Sequence, residues 1–87
     1  MIRSILAAAA LAALPMAALA MPSVGDIVGT TPDTAKAALE KAGCTVDRFE
    51  AEDGKIEAKC VEVATGKHWE IYLDPKTGAV VDLKNND

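Results

Sequence analysis

The chain is poor in the residues that most chemistry uses. It has one histidine, two cysteines, one tryptophan, one tyrosine and one phenylalanine in 87 residues. The cysteines, Cys44 and Cys60, are not spaced C-x-x-C, so the dithiol redox motif is missing. A structural zinc site takes four Cys or His ligands in compact pairs, and Cys44, Cys60 and His68 are too few and too dispersed. Nucleophilic catalysis needs a nucleophile, a base and an orienting group within reach, and a single histidine supplies little of that. Basic residues are also scarce, with nine Lys and Arg against thirteen Asp and Glu. That balance disfavours nucleic acid, whose phosphates require positive contacts. These shortages lead to the expectation of a protein that is not an enzyme and that carries no metal and no cofactor.

The hydrophobic residues are unevenly placed. Residues 1–20 hold 17 of the 44 apolar residues, and without Arg3 the remaining 67 residues carry a formal charge of −5. Met1-Ile2-Arg3-Ser4 is a short positive start, Ile5 to Leu14 an unbroken apolar run, Pro15 a helix breaker, and Ala18-Leu19-Ala20 a small-residue cleavage site. This is the layout of a secretory signal peptide. The run is too short for a hydrocarbon core of roughly 30 Å, so no membrane insertion is expected after cleavage. Cleavage after Ala20 would leave Met21–Asp87 in the bacterial periplasm or outside the cell.

Residues 21–30 read as a lead-in in which Ile27 and Val28 can tuck onto a core. A helix is expected over about 32–42. Thr31 serves as cap, Pro32 suits the first helical position, Asp33 complements the positive helix end, and Gly43 stops the helix. Ala35, Ala38, Leu39 and Ala42 make its apolar stripe. From residue 44 onward, strands alternate with turns. Asp53-Gly54 is a hairpin turn, and Thr65-Gly66 marks the next. Parity turns Ile56, Ala58 and Cys60 to the same face as Trp69, Ile71 and Leu73. An even loop at Thr65-Gly66 sets Ile71 opposite Cys60 and Leu73 opposite Ala58. In the preceding strand the apolar phase slips by one between Val46 and Phe49, which predicts a β-bulge at Asp47-Arg48. Asp74-Pro75-Lys76-Thr77-Gly78 has type I turn chemistry, followed by a short strand over Ala79–Leu83. The expected fold class is α+β, one N-terminal helix packed on a three- to four-stranded antiparallel β-meander, spanning 31–84 and followed by a polar tail at 85–87.

The segment Trp69-Glu70-Ile71-Tyr72-Leu73-Asp74-Pro75-Lys76-Thr77-Gly78-Ala79-Val80-Val81, preceded by Asp53-Gly54-Lys55-Ile56 and a helix closing on Ala42-Gly43, resembles the PepSY domain family in its small exported form. The turn residues Asp74, Pro75, Thr77 and Gly78 are the family-like motif. The resemblance implies a non-catalytic binding or regulatory module whose partner is another envelope or secreted protein, with a peptidase among the candidates. Cys44 stands where an aromatic residue commonly follows the helix-ending glycine of such domains.

Parity with the bulge turns Cys44 and Cys60 inward on diagonal positions, roughly 7–8 Å apart, against the limit of about 7 Å for a disulfide. A disulfide and a pair of buried thiols both remain open at this point. Trp69 reads as core. Glu50, Glu52, Asp53, Glu57, Glu62 and Glu70 alternate with Arg48, Lys55 and Lys59, and parity puts most of them on the outer face of the sheet. Val61, Val63, His68 and Tyr72 turn outward and form a candidate interaction surface. The alternative reading is a small-molecule or metal-ion binding protein using His68, Trp69 and nearby carboxylates.

Overall fold

The computed structural model describes residues 21–87; the expected signal peptide and its cleavage site lie outside the described residues. One helix, α1 (Pro32–Lys41), precedes four strands, β1 (Cys44–Glu52), β2 (Lys55–Glu62), β3 (His68–Leu73) and β4 (Val80–Asn85). The strands form one antiparallel sheet in the order β1-β2-β3-β4. The helix lies over β1. Thr31 caps it by accepting the Thr34 N–H at 3.2 Å, and Thr34 returns its hydroxyl to the Thr31 N–H. Ala35 and Leu39 carry its buried face, and Gly43 leaves the last turn at φ +98°.

The core is thin and aliphatic: Leu39, Ile71, Val80 and Cys44 are fully enclosed, with Phe49 and Trp69 packed at its margin. β1 and β2 pair in the expected register, Ala51 opposite Ile56 and Phe49 opposite Ala58, with the register shift between Val46 and Arg48. Asp47 is therefore the inserted residue, and the bulge is where the apolar phase required it. Asp53 and Gly54 both take positive φ, +49° and +76°, which closes a two-residue hairpin with the right twist.

Three expectations need correction. The β2–β3 register differs by two residues from the expected one: Cys60 faces Trp69, Ala58 faces Ile71, and Ile56 faces Leu73. The turn uses four residues, Val63 to Gly66, closed by hydrogen bonds between Glu62 and both Lys67 and Gly66. Val63 is drawn into it because its N–H donates to the Gly43 carbonyl at 2.8 Å. A shift of two preserves parity, so the inward set is unchanged.

The fourth strand begins and ends later than expected, running to Asn85. Beyond it the Asn86 N–H donates to the His68 carbonyl, and the Asp87 carboxylate accepts from the His68 N–H at 3.0 Å. The polar residues 85–87 thus continue the pairing along β3. In the lead-in, Pro22 and Val28 are buried, and Ile27 does not join them. Ile27 is 67% exposed because the extended segment bridges Ala79 and alternates its side chains.

Candidate functional site

Cys44 and Cys60 form a disulfide with Cα atoms 5.5 Å apart. Their positions are diagonal, Cys44 opposite Glu62 and Cys60 opposite Val46. The neighbouring bulge increases local twist and brings the diagonal within bonding range. Both are buried, so the bridge sits inside the core beneath α1 rather than at an exposed redox position.

The turn motif is built from local hydrogen bonds. Asp74 Oδ1 accepts the N–H groups of Lys76 (2.8 Å) and Thr77 (3.3 Å), and the Gly78 N–H donates to the Asp74 carbonyl. The Gly78 carbonyl then accepts the Val28 N–H at 2.8 Å, which ties the lead-in across the turn. Asp74, Pro75, Thr77 and Gly78 therefore hold the entry segment and the start of β4 in place.

The four outward residues are only partly brought together. Val61 and His68 are direct cross-strand partners beside a depression of about 540 Å³. Val63 lies in the turn and is 66% exposed. Tyr72 is on the same face as His68 but four residues further along β3, with Glu70 between. The Lys84 ammonium sits 5.3 Å from the Tyr72 ring centroid, and the Tyr72 hydroxyl donates to Glu70 Oε1 at 3.1 Å. Burial and that hydrogen bond, with the charges of Glu57, Glu70 and Glu52, push the Tyr72 hydroxyl up to about 12. Trp69 is half-buried at the inner face, with its indole N–H donating to Glu62 Oε1 at 3.0 Å. Glu62 also accepts the Thr65 hydroxyl, so the Trp69 edge is fixed by the turn. His68 Nδ1 lies 2.8 Å from Asp87 Oδ1, which holds the Asp87 carboxyl below its usual range. Among the described residues no three His, Cys, Asp or Glu side chains are grouped to hold a metal ion.

A second concavity, lined mainly by apolar side chains, lies on the inner face. It is an open groove of about 280 Å³ between the start of α1 and the hairpin end of the sheet. Its floor is Phe49, Ala51, Ile56 and Leu73, with Ala35 and Pro75 on its walls and Glu50 and Asp74 among its lining residues. The groove exists because α1 covers the sheet only in part: Leu39 and Ala35 lie on the core, while Phe49 and Ile56 remain half-buried and Ala51 exposed. No local sequence pattern marks it, since it depends on how far the helix reaches over the sheet. β1 is an edge strand beside this groove, paired only with β2 among the described strands.

Comparison with protein families adds one finding. The PepSY-type model described as "Peptidase propeptide and YPEB domain" matches residues 4–84. The chain belongs to this PepSY family. The match covers nearly the whole chain, including α1, all of β1 to β3 and most of β4. No curated protein and no solved structure matches the chain. Among the described residues of this PepSY domain, no helix is long and apolar enough to cross a membrane.

Proposed function

We propose that this PepSY domain is a non-catalytic binding and regulatory module of the bacterial periplasm or secreted space, and that it acts by holding a segment of another exported protein, a peptidase above all. The observation that carries this is the apolar groove bordered by β1, an edge strand that among the described strands is paired on one side only. An extended segment paired along β1 would meet the free backbone groups of the edge and lay alternate side chains toward Phe49, Ala51 and Ile56. A volume of about 280 Å³ suits one large apolar side chain or two small ones. The formal charge of −5 on residues 21–87 favours a partner segment that carries lysine or arginine beside its apolar residue. Family membership supports a protein partner, because the family takes its description from peptidase propeptides.

The test uses residues 21–87 titrated against the exported peptidases of the producing cell, with Ala51→Lys as the comparison. Ala51 is exposed, so lysine there fills the groove mouth without entering the core. The expected result is inhibition of at least one peptidase by the native domain and at least tenfold weaker inhibition by the variant. No inhibition by either protein, with no binding detected by calorimetry, counts against the reading. A fixed mass increment retained on the untagged protein in native mass spectrometry would favour the small-molecule or metal-ion alternative.

A further inference from the structure

The outer face of the sheet holds one residue that its position does not prepare for. Glu57 lies at the middle of β2 and is only 3% exposed, although no helix among the described residues covers that face. Its direct cross-strand neighbours are Glu50 on β1 and Tyr72 on β3. Glu70, opposite Lys59, is its diagonal neighbour. Like charges set directly opposite on a sheet destabilise it, and Glu57 has that relation to Glu50.

The surrounding charges do not neutralise it. On β1, Arg48 binds Glu50 at 2.7 Å and Asp47 at 3.2 Å, and Glu52 adds a further negative charge. On β2, Lys59 leans toward Glu50 at 3.9 Å, and Lys55 stands opposite Glu52 in the hairpin register. On β3, Glu70 accepts the Tyr72 hydroxyl. On β4, Lys84 stands over the Tyr72 ring and Asp82 is opposite Tyr72. No described cation lies within 4 Å of the Glu57 carboxyl.

We propose that Glu57 and Glu70 form a proton-holding pair on the outer face of the sheet, a pH-sensitive latch across β2 and β3. In the closed state Glu57 is the neutral acid and donates its O–H to the ionised Glu70, which accepts the Tyr72 O–H as well. Loss of the Glu57 proton removes one donor and places a buried negative charge beside Glu50, Glu52 and Glu70. Burial, then the charge of Glu70 and the hydrogen bond to it, hold the Glu57 carboxyl above its ordinary range. The sign follows directly. A folded-state value above the unfolded value gives a stabilisation that is full below the ordinary carboxylate range, about 4.3 for Glu. It is lost as pH rises through the folded value. The domain is therefore tighter in mild acid than at neutral pH, independently of whether it binds a peptidase.

The latch is read by carboxyl-carbon NMR titration of residues 21–87 together with thermal unfolding at a series of pH values. The Glu57 carboxyl is expected to titrate above the ordinary glutamate value, and Glu70→Gln is expected to move it down toward that value. The melting temperature of the native domain falls between about pH 4.5 and pH 8, and Glu57→Gln removes at least half of that fall. A Glu57 midpoint at or below the ordinary glutamate value overturns the proposal. So do melting curves of native and Glu57→Gln protein that stay parallel across this range. The titration on native protein decides the matter even where a variant folds poorly.

Discussion

Gly78 lies against the backbone of Gly29: a β-carbon on Gly78 would stand 2.6 Å from the carbonyl carbon and oxygen of Gly29. This contact is where the family-like turn grips the lead-in, with the Val28 N–H donating to the Gly78 carbonyl in the same place. Gly78 also takes φ +74°, so a side chain meets both a backbone penalty and a backbone clash. Gly78→Ala is predicted to destabilise the domain by about 2 kcal/mol or more, seen as a lower denaturation midpoint. Gly66 has a similar φ of +77° but open space around it. Gly66→Ala is accordingly expected to cost only about 1 kcal/mol. Equal losses at the two positions would show that the Gly29 contact contributes nothing.

The disulfide closes a loop with a sequence separation of 16 between Cys44 and Cys60. Constraint of the unfolded chain by a loop of that size is worth about 3 kcal/mol in the entropic model. A domain of this size has little stability to spare, a core so small supplying about 3–5 kcal/mol. Urea unfolding with and without reductant should therefore differ by most of the transition, with the reduced domain partly unfolded in buffer alone. Superimposable curves would remove the bridge from the account of stability.

Much of this architecture was legible because strand parity is strict. The slip between Val46 and Phe49 could be repaired only by an extra residue, and Asp47 is that residue. The diagonal Cys44–Cys60 relation followed from the same bulge, while the choice between a bridge and free thiols did not, because local twist decides it. The β2–β3 register was not legible, since Val63 enters the turn through a bond to Gly43, which lies twenty residues earlier in the chain, beyond the reach of any local signal. The clasp of Asp87 on His68 was hidden for the same reason: it joins polar residues 19 positions apart. Parity puts Glu57 on the outer face, yet its burial there, at 3% exposed, is not a property that alternation along a strand conveys.

The Asp87 clasp predicts acid sensitivity of the opposite sign to the Glu57 latch. Hydrogen bonds from the His68 ring and backbone N–H hold the Asp87 carboxyl below its usual range. A lowered folded-state value gives stability that is present above the ordinary carboxylate range and is lost as pH falls through the folded value. Glu50, lowered by its hydrogen bond to Arg48 and by Lys59, acts in the same direction. Asp87→Asn is therefore expected to weaken the dependence of stability on pH below about 4 and to leave the slope above pH 5 unchanged. Both groups are exposed, so the effect is small and salt-sensitive. A variant whose acid limb matches the native one would show that the clasp forms without contributing.

The core places a separate demand on α1. Leu39 is fully buried and is the main contact of the helix with the sheet. Leu39→Ala should cost about 2–5 kcal/mol, enough to unfold a domain of this size at 37 °C, measured by circular dichroism. A loss under about 1 kcal/mol would mean that the helix is held by its cap and lead-in instead.

The central claim is that the domain works by docking a partner at the groove beside β1. Amide NMR of isotopically labelled residues 21–87, titrated with an exported peptidase that it inhibits, tests this most directly. The account predicts that the largest shifts fall on Ala35, Phe49, Ala51, Ile56 and Leu73, and that Ala51→Lys abolishes them. Shifts confined to Val61, His68 and Tyr72 on the outer face, with the groove residues unmoved, would contradict it.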